Sequence, residues 1–181
     1  ITSGSTVMSG ASTSLSASDE SSIASVGLSI AASGGAAISG IVGYNGIHNT
    51  IKSQISGSTV WSRTTTSLVA ESDSDIFSFV GGVAGSALAA GQLSLAINDI
   101  GNTVEASIVN NETKRSNVRA AAGQISLVAG DTSTIDAIAV GLSAALGGAV
   151  GAAASVNDIG NRVVTAITQS DVVSSGGNIS V

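Results

Sequence analysis

Residues 98–102 read Asn98-Asp99-Ile100-Gly101-Asn102, and residues 157–161 read Asn157-Asp158-Ile159-Gly160-Asn161, the same five letters 59 positions further on. A looser copy, Asn45-Gly46-Ile47-His48-Asn49, stands 53 positions upstream of the first. Self-similarity at a nearly constant spacing marks a repeat protein and decides the fold before any one segment is assigned. Outward from the block, Gly4-Ser5-Thr6-Val7 recurs as Gly57-Ser58-Thr59-Val60, and Thr13-Ser14-Leu15 as Thr66-Ser67-Leu68, both at an offset of 53. Leu68 and Ile76 map to Leu127 and Ile135 at 59, and Ile125-Ser126-Leu127 to Ile179-Ser180-Val181 at 54. The chain therefore reads as one repeat domain, residues 1–181, with copies near 4–56, 57–115 and 116–181. The six extra residues of the second copy point to an insertion loop at 110–119.

Within each copy the apolar period is two, the signature of strands. Ile100, Val104 and Ile108 share a face with Asn102 and Ala106, and Ile159, Val163 and Ile167 repeat the pattern. Upstream, Leu93, Leu95 and Ile97 in copy two and Val150, Ala152, Ala154 and Val156 in copy three share a parity. Because Ile97 and Ile100 are three apart, keeping both apolar sets inward requires an extra residue there, a bulge or corner. The same reasoning places a slip between Ile23 and Val26, after which Val26, Leu28 and Ile30 alternate. A helix over Ala137–Ala154 competes on Ala content, but Gly141, Gly147, Gly148 and Gly151 would each cost it about 1 kcal/mol. Turns are expected at Ser33-Gly34-Gly35, Leu146-Gly147-Gly148 and Ser175-Gly176-Gly177.

A unit of this size cannot bury its edges and faces alone, so copies must stack, each strand on its equivalent. The expected fold is all-β, a parallel β-helix-like β-solenoid of about three stacked repeats of 53–59 residues. No pattern recurs at half the period, which favours one wide coil per repeat. Small walls of Ala and Gly would then approach closely, with Ala154 among the packed positions.

Composition narrows the function classes. Ser, Ala and Gly supply 83 of 181 residues, aromatics only 2%, and Pro and Cys are absent. No core can be built around large rings, and disulfides, zinc–thiolate sites and thiol nucleophiles are excluded. A mean hydropathy of +0.46 argues for a folded chain. With six Lys and Arg and a net charge of −6, no basic stripe can neutralise phosphates, so nucleic acid is not an expected partner. No uninterrupted apolar run has the roughly 18 residues of a membrane helix, Ala137–Val156 coming nearest, and no membrane span is expected. The chain starts at Ile1 without Met or a signal-peptide pattern and is expected to be a fragment or processed product.

The inward asparagines Asn49, Asn102 and Asn161 are the most informative polar residues, since a buried amide must be paired and stacked copies can pair amide to amide in a ladder. Asn98, Asp99, Asn157 and Asp158 offer oxygen ligands to a hard cation at the corner, which makes calcium the one candidate cofactor; copy one has Gly46 in the Asp position. The single histidine, His48, reads as an exposed corner residue with no acid and nucleophile set around it. Glu71, Asp73 and Asp75, with Asp19 and Glu20, form the carboxylate groups, read as solvated edges. Lys114, Arg115 and Arg119 form the only basic cluster, a candidate contact loop. Asn111-Glu112-Thr113 and Asn178-Ile179-Ser180 match the glycosylation sequon, which is frequent by chance.

The Ala/Gly/Val tract ending in Ser155-Val156-Asn157-Asp158-Ile159-Gly160-Asn161-Arg162-Val163, followed by Ser170-Asp171-Val172-Val173 and Gly177-Asn178-Ile179-Ser180-Val181, resembles the repeats of very large secreted bacterial exoproteins of the haemagglutinin, leukotoxin and autotransporter adhesin kind. The resemblance implies an extracellular or surface-attached β-solenoid stalk, often with adhesive or toxin regions elsewhere in the polypeptide; structural or adhesive work is the expected function, and since the residues form no catalytic set, no enzymatic activity is expected. Its expected partners are further copies of the repeat, end to end, and a host or cell-surface ligand. Copy one departs from the pattern at residues 43–49, so the resemblance carries architecture and no binding residues. A carbohydrate-active or calcium-stabilised carbohydrate-binding β-helix is the alternative function.

Overall fold

The period-two pattern becomes strand in every copy, including the Ala-rich stretch where a helix competed. The computed structural model describes residues 1–181 as β1 (Thr6–Ser9), β2 (Thr13–Ser33), β3 (Ala36–Ile47), β4 (Thr50–Ser56), β5 (Thr59–Ser62), β6 (Thr66–Ser86), β7 (Ala89–Ile100), β8 (Thr103–Val109), β9 (Asn117–Ala120), β10 (Ile125–Ala145), β11 (Ala149–Ile159), β12 (Arg162–Thr168), β13 (Asp171–Ser174) and β14 (Ile179–Ser180). Four parallel sheets result, in the orders β1-β5-β9-β13, β14-β10-β6-β2, β11-β7-β3 and β12-β8-β4. Each strand pairs with its equivalent in the next copy, so the protein is a β-solenoid.

One circuit runs along a 21-residue strand, through a narrow turn, back along strands of about 12 and 7 residues divided by a corner, and across a four-residue strand. One repeat is therefore one wide coil, and Thr13 pairs Thr66 at the repeat distance of 53. The register also locates the six extra residues. Ile51 pairs Val104 at 53, Val60 pairs Val118 at 58 and Leu68 pairs Leu127 at 59. Five extra residues lie between Val109 and Asn117, and the sixth between Ala120 and Ile125. The expected loop 110–119 is thus corrected to 110–116, because Asn117–Ala120 is strand β9. Asn111 organises that loop, its Oδ1 accepting the N–H groups of Thr113 and Lys114 at 3.1 and 2.7 Å.

Across a coil the interior is layered. The wide end holds a cluster of twelve buried apolar residues that includes Ile51, Ile55, Leu68, Val104, Ile108, Ile125 and Leu127. Complete burial of an Ile or Leu is worth about 1.5–3 kcal/mol, so this layer dominates the stabilisation. Next comes a polar band containing Ser72, Ser74 and Asn102, and beyond it a second apolar layer of Ile47, Ile76 and Ile100 flanked by Ile23 and Ile135. The remaining half of the coil is a thin blade whose inner positions are small, such as Ser78, Gly82 and Ala84 of β6 and Ser94 and Ala96 of β7.

Neither expected slip occurs, and the large apolar side chains of the blade face outward, except for Ile41 and Val80. Inward parity on β6 runs unbroken from Thr66 to Ala84, and on the return wall from Ala90 through Asn98, Ile100 and Asn102 to Ile108. Val26, Leu28 and Ile30 are 68–82% exposed, and Leu93, Val150 and Val156 are exposed on the other wall. Ala154 pairs Leu95, which pairs Val42, a column on the outer face, so Ala154 is not a packed position. The reason is the separation of the walls. A Cβ on Gly27 would lie 2.7 Å from Ile41 Cδ1, one on Gly43 2.9 Å from Val80 Cγ2, and one on Gly141 2.6 Å from the Ala152 carbonyl oxygen. Walls this close hold Gly, Ala and Ser at most inner positions and take a larger side chain from one wall only, as where Ile41 faces Gly27, Val80 faces Gly43 and Gln92 faces Gly82. Pairing of β2, β6 and β10 at all 21 rungs then leaves no spare residue to reverse the parity.

Candidate functional site: the polar spine at the corner

The corners joining β3 to β4, β7 to β8 and β11 to β12 place Asn49, Asn102 and Asn161 above one another, with side chains pointing across the coil. They do not pair amide to amide. The Oδ1 of Asn102 accepts the backbone N–H of Asn49 at 3.0 Å, and that of Asn161 accepts the Asn102 N–H at 2.7 Å. At a corner the backbone N–H has no strand partner, and the asparagine below supplies one. Each Nδ2 instead donates to the opposite wall. Asn49 reaches Asp19 Oδ2 at 2.6 Å and Ser21 Oγ at 2.9 Å. Asn102 reaches Ser72 Oγ at 3.1 Å and Ser74 Oγ at 2.9 Å, and Asn161 reaches Asp131 Oδ1 and Ser133 Oγ. The spine is a set of bolts between the two walls, half-buried at the end coils and 1% exposed at Asn102.

The amide-to-amide ladder lies one turn of sequence earlier, at Asn45, Asn98 and Asn157. Asn45 Nδ2 donates to Asn98 Oδ1 at 2.7 Å, and Asn98 Nδ2 to Asn157 Oδ1 at 2.8 Å. These residues sit in mid-strand and in register, where identical side chains stack at the strand spacing of about 4.8 Å. Asn98 and Asn157, read from sequence as cation ligands, are thereby committed to each other and point inward, whereas Asp99 and Asp158 belong to the alternate, outer face. The four side chains are thus not brought to one point. No group of three His, Cys, Asp or Glu side chains is placed to share a metal ion.

Comparison with protein-family models, with curated proteins and with solved structures finds no match to this chain.

Outside the spine, His48 is an exposed corner residue whose Nε2 lies 3.0 Å from Asp99 Oδ2. Its ring occupies the space over Gly101, where a Cβ would fall 2.8 Å from His48 Cδ2. The basic cluster is divided: Lys114 and Arg115 lie on the loop, and Arg119 lies in β9 beside Trp61 in register. Arg115 spends its guanidinium on the Gln169 carbonyl at 3.3 Å and faces Asp171 at 4.0 Å. Glu71 and Asp73 project from the outer face of β6, beside Glu20 on β2, in an open depression of about 460 Å³ that also reaches Asp19 and Asp131. No apolar or aromatic side chain lines it.

One charged residue escaped the sequence reading. Glu105 on β8 is held below the usual carboxylate range, first by the Ser107 hydroxyl donating to it at 2.7 Å and then by Lys52 Nζ at 3.1 Å, against the opposing effect of burial. Its signal was the repeat itself, since Lys52 and Glu105 are separated by 53 positions and occupy one column.

Proposed function

We propose that the chain is a structural and adhesive spacer of a secreted or surface-attached filamentous protein, extended by continuation of its strand ladders into further coils. The observation that carries this reading is the stack itself. Each of the four sheets ends in strands paired on one side only, β1 to β4 in the first coil and β11, β12, β13 and β14 in the last. Those edges keep the register of the interior coils and carry almost no Lys and no Pro, the residues that block edge pairing. A further coil, of the same polypeptide or of a second copy, would extend both the backbone ladders and the Asn45–Asn98–Asn157 ladder. Head-to-tail contact of this kind need not close and gives filaments. The polar spine suits a load-bearing element, since it ties wall to wall at every coil. An extracellular or cell-surface setting and a host-surface ligand belong to the same proposal, supported by the composition and by the resemblance of the repeat block. Light scattering and electron microscopy over rising concentration test it. Rod-like particles whose length grows with concentration are expected, and a strictly monomeric species at millimolar concentration would remove the assembly component.

A further inference from the structure

The two outer faces of the blade are uncharged and carry most of its large apolar side chains. Residues 24–45, 77–98 and 137–157 contain no Asp, Glu, Lys, Arg or His. One outer face carries Leu28, Ile30 and Leu142, the other Ile38 and Val42, and the tip Leu88 and Leu146, the last 93% exposed. Between the walls lie mainly small and polar groups, with Ile41 and Val80 the larger exceptions, close to the apolar-out, polar-in alternation that strands adopt in lipid. From Phe77 to Ser86 is ten residues, about 33 Å of strand, which matches the roughly 30 Å of a bilayer's hydrocarbon core. At the tip, bonds between coils hold the Leu88 N–H on the Gly35 carbonyl and the Ala90 N–H on that of Gly148, both at 3.0 Å. The outer edges of β2, β3, β10 and β11, which lipid would not tolerate unpaired, are the ones that the further coils of the proposed function pair, and insertion rests on that reading.

We propose that this blade inserts tip first into a lipid bilayer, leaving the wide end of the solenoid at the surface. A second folded copy laid on the blade would cover one face, whereas both faces are apolar in all three coils and the tip adds Leu88 and Leu146 in the second and third. Charge begins abruptly at the root, with Asp75 and Asp136 on one wall and Asp99 and Asp158 on the other. Exposed Tyr44 lies at the same level, where an amphipathic ring meets the headgroups. An acidic root is repelled by anionic headgroups, so the membrane it fits is zwitterionic.

The chain has no cysteine, so one introduced thiol can be labelled uniquely. Leu142→Cys in the blade and Ser16→Cys on the wide end, each carrying an environment-sensitive dye, are mixed with phosphatidylcholine vesicles and floated on a density gradient. The protein is expected to float with the vesicles, with a blue-shifted, brighter dye at position 142 and an unchanged one at position 16. Leu28→Ser and Leu142→Ser, outward changes that leave the interior intact, should each lower vesicle partition about tenfold. Their circular dichroism melts show whether the fold is kept. Protein that stays at the bottom of the gradient overturns the proposal. So does a dye at position 142 that becomes buried with rising protein concentration in the absence of lipid while the particles do not lengthen, which would assign the face of the blade to a second copy.

Discussion

Replacing Asn102 with Leu removes the central bolt of the spine. Its Oδ1 is the acceptor for the Asn49 N–H, and its Nδ2 donates to Ser72 and Ser74, both buried. Leucine leaves the Asn49 N–H without a partner at about 1–3 kcal/mol. The two serine hydroxyls can rotate toward each other or toward backbone carbonyls, so they add about 1–2 kcal/mol together. The sum, about 2–5 kcal/mol, corresponds to roughly 5–15 °C in Tm for a chain of this length. Asn49→Leu is the internal comparison. Asn49 makes the same wall-to-wall bonds but accepts no backbone N–H from a neighbouring coil, so its loss should cost less. Thermal and urea unfolding followed by far-UV circular dichroism give both values. Equal shifts for the two variants, or no shift for Asn102→Leu, would refute the claim that the corner asparagines carry the exposed backbone groups of the next coil.

Three further outcomes follow from the packing and the charges. Gly141→Val should destabilise by about 1–3 kcal/mol because its side chain meets the Ala152 backbone, while Ala154→Phe, on the outer face, should stay within about 0.5 kcal/mol of the parent in the same melts. Gln92 is buried with an Oε1 that has no partner, so Gln92→Met, of similar length, should leave stability equal or raise it by up to about 1 kcal/mol, read from the urea midpoint. Glu105 has a folded pKa below its unfolded one, so its contribution is present at neutral pH and fades as pH falls through the folded value. Glu105→Gln should lower stability at neutral pH and converge with the parent as pH falls below the folded value, a difference visible in paired pH titrations of Tm.

The coil was legible because its determinants are one-dimensional. Period-two alternation and offsets of 53 and 59 name the strands, their partners and their register, and Ser33-Gly34-Gly35 and Leu146-Gly147-Gly148 mark the narrow end. The orientation of the blade was not legible in the same way. Taking Val26, Leu28, Ile30 and Leu93, Leu95, Ile97 as inward follows the rule that large apolar side chains leave water, and the extra residue at each slip is what that rule demands. The opposing signal was present in the alternate positions, where Gly27, Gly43, Gly82 and Gly141 stand opposite Ile41, Val80, Gln92 and the Ala152 backbone and leave no room for large side chains from both walls. Asparagines posed a different difficulty. Asn45, Asn98 and Asn157 repeat at the same spacing as Asn49, Asn102 and Asn161, and only the difference between mid-strand and corner backbone decides which set pairs amide to amide. The loop ended three residues earlier than the basic cluster suggested, because Asn117–Ala120 answers to the short strands above and below it.

The central claim is that inward parity runs unbroken along the long strand, so that the blade is apolar outside. Single cysteines at Phe77, Phe79 and Val83 and at Ser78, Val80 and Ala84 of β6, in the middle coil, test it through their rates of reaction with a water-soluble thiol reagent in native protein. Fast labelling at 77, 79 and 83 and protection at 78, 80 and 84 is the predicted result. Protection at 79 and 83 with fast labelling at 78 and 84 would contradict it, placing a parity slip after Ile76 and the large apolar side chains inside.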